Sequence, residues 1–127
     1  MARLIALAAA TLGIAELCPA AAQKTAPAQA APLPVARCEL GNSNGETYKG
    51  PCIFTLGARG SFSVARPGNA RIIDDDVLVL VTIVRPGVAD VTSRTRTGTT
   101  LNWGRARRAT TSTACWRGTD FWICVYA

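Results

Sequence analysis

Cysteine is the residue of this chain with the most chemistry to offer, and there are five: Cys18, Cys38, Cys52, Cys115 and Cys124. The last two stand nine positions apart in the closing stretch ACWRGTDFWICVYA, with Trp116, Phe121 and Trp122 between them. Such residues can hold a metal, run redox chemistry, attack a substrate or form a staple. A structural zinc site draws on CxxC-like pairs or histidine, and the sequence has no CxxC and no histidine. A redox or catalytic thiol needs a partner base or a close dithiol, and neither is offered. Without histidine the commonest general base is missing. The two lysines, Lys24 and Lys49, are poorly placed for a Ser-Lys dyad. A glycosidase needs a pair of carboxylates, but nothing in the spacing of Glu39, Glu46, Asp74, Asp75, Asp76, Asp90 and Asp120 singles one out. The expectation is a non-enzyme with no catalytic residue, no metal and no cofactor.

The first residues explain how the cysteines are used. MARLIALAAATLGIAELCPAAAQK has a charge at Arg3, an apolar run from Leu4 to Ala15, and small residues Ala20 to Ala22. That is the pattern of a secretory signal peptide over 1–22, cleaved after Ala22. Glu16 and Pro19 interrupt the run well short of the ~20 apolar residues a bilayer span needs. Cys18 follows Leu17, so a lipid anchor there is not expected. Removing the signal leaves four cysteines, an even number in a short exported chain, which reads as two structural disulfides. Residues 23–36, QKTAPAQAAPLPVA, are rich in alanine, proline and glutamine and read as a disordered tether. The folded domain is expected over 37–127, periplasmic or secreted.

Hairpin geometry favours local pairing. A two-residue loop at Thr119 and Asp120 sets Cys115 opposite Cys124 at a non-hydrogen-bonded pair, where strands approach most closely. In RCELGNSNGETYKGPC the Asn44-Gly45 turn signal, within a three-residue loop, sets Cys38 opposite Cys52. Each bridge should contribute roughly 3 kcal/mol on a chain-entropy account.

The elements that would position these residues are strands. CIFTL, SFSVA, ARII, VLVLVTIV, VADVT, TLNW and FWICVY are separated by GARG, RPGN, DDD, RPGV and RGTD, each a turn or breaker cluster. No window keeps apolar residues at helical spacing for three turns. The fold class is all-β, a small antiparallel sandwich or a rolled, barrel-like sheet. VLVLVTIV, apolar on both sides apart from Thr82, reads as a central strand covered on both faces. Trp103 and Trp116 are assigned to the core. The three consecutive aspartates read as a solvated turn at the mouth of that strand rather than a Ca²⁺ loop.

The strings CEL, NGETYKGPC, GSFSV, ACW and ICVY together resemble a group of small exported alphaproteobacterial proteins. These share a CxL...NGxxY...GPC...GSFS...CW...C pattern that carries no assigned activity. The resemblance spans most of 37–127 and thins in the middle. It implies an extracytoplasmic β domain with paired cysteines and transfers no site residues.

Charge is the remaining functional signal. The chain is basic, +6, and twelve of its fourteen cationic residues are arginines. Period two puts Arg94 with Arg96, and Arg105 with Arg107, on shared strand faces. With Arg117 they would form a guanidinium patch, and the guanidinium fork suits phosphate and carboxylate. Outside an inner membrane these belong to lipid A, phospholipid headgroups, peptidoglycan or acidic polysaccharide. The competing reading is a scattered, solvated surface. On the last strand Trp122 and Tyr126 point away from Phe121, Ile123 and Val125. They read either as a stacking platform, with Trp122 opposite Arg117 for a cation-π contact, or as a second small core over the disulfide. Nucleic acid is set aside, because export removes the chain from it and no recognised binding motif is present. The expectation is a binding or interaction module for an anionic envelope component or a protein partner, with no transmembrane span in the mature chain. The alternative is an inhibitor of an extracytoplasmic hydrolase displaying Arg66-Pro67-Gly68 or Arg85-Pro86-Gly87. Its basic charge argues against a cationic lysozyme as target.

Overall fold

The structure, a computed structural model, describes residues 35–126 together with Gly13. Apart from Gly13, the expected signal peptide, its cleavage site and nearly all of the tether lie outside the described residues. Eight strands follow one another: β1 (Val35–Asn42), β2 (Thr47–Leu56), β3 (Phe62–Ala65), β4 (Asp76–Arg85), β5 (Val88–Thr95), β6 (Thr100–Arg108), β7 (Cys115–Arg117) and β8 (Phe121–Tyr126). Each pairs antiparallel with its predecessor, and β8 returns to β1, closing a barrel. Of the two all-β architectures the sequence allowed, the rolled one forms. β1 starts at Val35, two residues inside the expected tether, because Ala36 packs into the core and pairs with Cys52.

Period-two alternation builds the wall. In β1, Ala36, Cys38 and Leu40 face the core while Val35 and Arg37 are exposed. In β5, Ala89, Val91 and Ser93 are fully buried while Arg94 is exposed. An eight-stranded barrel is just wide enough for side chains to fill it, and here Leu40, Val64, Ile73, Val79, Val81, Val91 and Ile123 do so.

The apolar strand Val77 to Val84 is paired along both edges, as every strand of a closed barrel is, but it is not covered on both faces. Val79 and Val81 point into the barrel, whereas Leu78 and Leu80 are only half-buried and Val84 is exposed. Closure, rather than a second layer, removes the sheet edges. That lets a strand be apolar on both sides with only its inner face fully covered.

Both disulfides form with the expected partners. Cys115 lies directly opposite Cys124, their Cα atoms 4.0 Å apart, on the hairpin register the sequence implies. Cys38 and Cys52 are offset instead. Cys38 faces Gly50, Cys52 faces Ala36, and the bridge runs diagonally across 5.7 Å. The connection is longer than three residues because the Asn42 side chain organises it, its Oδ1 accepting from the amides of Asn44 and Glu46. The first bridge lies in the core, with Cys38 and Cys52 fully buried. The second lies outside it, on the side of β7 and β8 away from Trp116 and Ile123.

Antiparallel order gives the barrel two distinct ends. The β1–β2, β3–β4, β5–β6 and β7–β8 connections meet at the upper end, and the β2–β3, β4–β5 and β6–β7 connections at the lower. The upper connections and their flanks hold Glu46, Asp74, Asp75, Asp76 and Asp120. No helix among the described residues is long and apolar enough to cross a membrane.

Candidate functional site

Strand register divides the expected arginine face. Arg107 stands directly opposite Arg117, and Arg117 directly opposite Trp122, so these three form a row across β6, β7 and β8 on the outer wall. Both arginines are exposed, and among the described residues neither has a carboxylate within 4.0 Å. Arg105 shares their face but is already paired, its Nε donating to Asp90 Oδ1 at 3.0 Å. Arg94 lies beside Leu78 and Thr100 near the upper end. Arg96 follows β5 and lines a groove there with Arg71 and Asp75. The patch of five therefore reduces to a pair, Arg107 and Arg117. Directly opposed like charges are destabilising unless something anionic lies between them.

The two aromatics part company. Tyr126 brings its hydroxyl to 3.9 Å from Cys115 Sγ, over the outer disulfide. Trp122 is half-buried and lies across the backbone of Gly41, where a Cβ would come within 2.5 Å of its Nε1. Glycine is needed there because the indole takes the space a side chain would fill. The expected Arg117–Trp122 cation-π contact does not form. Among the described residues such contacts are Arg66 over Tyr48, 5.1 Å from the ring centroid, and Arg108 over Trp116, at 4.9 Å. Trp122 is turned toward β1 by its cross-strand neighbour Gly41 instead.

The two Arg-Pro-Gly loops also differ. Arg66 is tied down, stacked on Tyr48 and donating to the Arg71 carbonyl. Arg85 is exposed at a tight β4–β5 turn in which Gly87 takes a φ of 74°.

The aspartate turn is only partly solvated. Asp74 and Asp75 are exposed, and Asp74 Oδ2 accepts from Asn42 Nδ2 at 3.0 Å. Asp76 is 2% exposed and points inward, its Oδ2 accepting from Trp103 Nε1 at 3.2 Å. A bulge in β6, where Val91 pairs with Gly104 and Thr92 with Asn102, makes Trp103 the extra residue that supplies this bond. Ser93 lies beside the carboxylate, yet neither its Oγ nor Asp76 Oδ1 has a partner in hydrogen-bonding geometry. Desolvation pushes the Asp76 carboxyl above its ordinary 3.8; the charges of Asp74 and Asp75 add to the rise, while Ser93 and Trp103 oppose it. Glu46 is raised too, chiefly by the neighbouring Asp74 carboxyl.

A testable pH dependence follows from Asp76. A carboxyl whose folded pKa is raised binds its proton more tightly in the native state, so its ionisation opposes folding. Stability is lost as pH climbs from 3.8 through the raised folded value and is recovered on acidification. Asp76→Asn keeps an acceptor for Trp103, gains a donor for Ser93 and cannot ionise. The variant should be at least as stable as the parent at about pH 7, and its advantage should shrink toward about pH 4. Urea midpoints across that range measure it, and an unchanging gap would show that Asp76 is not held in this way.

Comparison with protein-family models, with curated proteins and with solved structures finds no match to the chain. Geometry therefore carries the functional argument. It also adds a residue that sequence reasoning passed over. Arg108 shares the inward side of β6 with the fully buried Ala106 and stacks on Trp116, a core residue. The signal was available in GRARR: if Arg105 and Arg107 face outward, period two turns Arg108 in.

Proposed function

We propose that this domain is a non-enzymatic binding module acting outside the cytoplasm, and that the row Arg107, Arg117 and Trp122 takes an anionic component of the cell envelope. The observation that supports it most is the direct cross-strand opposition of two exposed arginines, neither with a carboxylate within 4.0 Å among the described residues. An anion seated between the two guanidiniums relieves their repulsion, and each can present a planar fork to a phosphate or carboxylate. Two disulfides in so short a domain suit an oxidising compartment. The leader expected over 1–22 and the resemblance to small exported alphaproteobacterial proteins point the same way.

Cosedimentation with vesicles of anionic phospholipid, against vesicles of neutral phospholipid, tests this reading. A basic residue near an anionic surface contributes about 1 kcal/mol, so Arg107→Ala with Arg117→Ala should weaken binding roughly 30-fold. Arg94→Ala, away from the row, should have little effect. Binding by the parent should also collapse by about 0.5 M salt, because screening removes attraction between exposed charges. Equal binding to neutral vesicles, or no loss in the double variant, would defeat the proposal.

A further inference from the structure

The lower end of the barrel differs from the upper in charge and in polarity. Its connections, residues 57–61, 86–87 and 109–114, contain no acidic residue, while Arg59, Arg85 and Arg108 stand at or beside them. Four of the five large apolar side chains exposed among the described residues are also here: Val35, Leu56, Val84 and Tyr126. At this end a cavity of about 330 Å³ opens at the barrel mouth, walled by Phe54, Leu56, Phe62, Trp116 and Val125, with Arg108 at its side; of the four exposed apolar side chains, Leu56 lines it. Phe54 and Phe62 pack against one another at 5.3 Å. Arg108 is exposed and stacked 4.9 Å over Trp116, and among the described residues it has no carboxylate within 4.0 Å. Glu39 and Asp90 lie on the outer wall and are already bonded to Arg37 and Arg105.

We infer that this lower mouth binds a single-chain amphiphile, an alkyl chain ending in an oxyanion, with the chain against the aromatic wall and the anionic head on Arg108. Ligand pockets are mostly apolar with a few placed polar groups, in clefts of about 300–1,000 Å³, often at barrel mouths. This one has that composition, and its only charged wall residue is a cation. The guanidinium over Trp116 fixes where the head must lie, at the rim, because the fully buried Cys52, Val64 and Ile123 fill the barrel beneath. The fork of Arg108 fits a carboxylate or a phosphate equally. An arginine in an apolar mouth, with no carboxylate within 4.0 Å among the described residues, gains most from an anion that brings its own apolar tail. This inference is independent of the outer-wall reading, since Arg107 and Arg117 point away from the cavity.

Calorimetric titration of the full chain with decanoate, decyl phosphate and decanol, each below its micelle-forming concentration, tests it. One anion should bind per chain with saturation, and whichever of the two anions binds tighter identifies the head as carboxylate or phosphate. Arg108→Gln should weaken that anion about tenfold or more, the worth of a charge-assisted hydrogen bond, and leave decanol unchanged. Leu56→Asp, at a position 68% exposed and so safe for folding, should weaken all three. Arg107→Ala with Arg117→Ala should leave decanoate affinity where it was, which separates failure here from failure of the vesicle experiment. Absence of saturable binding by either anion, undiminished affinity in Arg108→Gln, or decanol binding as tightly as the anions would overturn the assignment.

Discussion

Replacing Cys38 and Cys52 together with alanine should destabilise the domain by about 3–5 kcal/mol, enough to leave a small secreted fold largely unfolded at 37 °C. Two effects add. The bridge closes a loop of sequence separation 14, so its loss frees the unfolded chain by roughly 3 kcal/mol on the chain-entropy account. Both sulfurs are also fully buried among Ala36, Leu40 and Val64, and each methyl-sized void left in a core costs ~1 kcal/mol more. The outer bridge offers the comparison. Cys115 and Cys124 close a shorter separation of 9 and lie outside the core cluster. Their joint replacement should therefore cost less, about 2–3 kcal/mol. Urea unfolding of the oxidised parent and the two double variants decides the order. A larger loss from the outer pair would mean that the core does not lean on the diagonal bridge.

How much of this was legible in the sequence depends on the range of the signal. Local patterns read well. The β7–β8 hairpin was fixed by a two-residue turn and by alternation, so its register and its disulfide could be counted outward from Thr119 and Asp120. The β1–β2 hairpin was missed by two residues because Asn42, outside the Asn44-Gly45 turn signal, bonds the loop through its side chain. Long-range placement read poorly. Whether VLVLVTIV is covered on its outer face depends on whether the sheet closes, and no window within β4 encodes that. The arginine face was predicted from period two along single strands, which is sound for each strand and silent about the offset between them. Arg94 and Arg107 share the outward side yet lie far apart along the wall, since Arg94 pairs with Thr100 and Arg107 with Val88. Asp76 was hidden by its neighbours: three consecutive aspartates look equally solvated. The bulge at Trp103, which turns a donor toward the third, depends on a register shift between strands.

Gly118→Ala should cost about 3 kcal/mol or more, at the upper end of what overpacking a core usually costs. Gly118 opens the turn before β8, its amide donating to the Phe121 carbonyl at 2.9 Å. A Cβ there would come within 2.1 Å of Phe121 Cε1 and 2.3 Å of Cζ. Phe121 cannot move freely. It is 6% exposed, belongs to the core, and meets the Trp103 ring edge-on at 5.4 Å. Displacing it presses on Trp103, and Trp103 is the donor that Asp76 Oδ2 relies on. A methyl group added at the surface turn thus reaches the buried carboxylate through two aromatic rings. Losing that donor raises the Asp76 carboxyl further, because the Trp103 bond opposes the rise that burial causes. The damage from Gly118→Ala should therefore be greater at neutral pH than in acid, where the group is protonated. Asp76→Asn has no charge left to strand, so adding it to Gly118→Ala should recover part of the loss. The two substitutions should couple by about 0.5–3 kcal/mol in a double-mutant cycle read from urea midpoints. Additivity within about 0.5 kcal/mol would show instead that the clash is absorbed at the turn. The upper end of the barrel would then be two separate packing problems rather than one connected path.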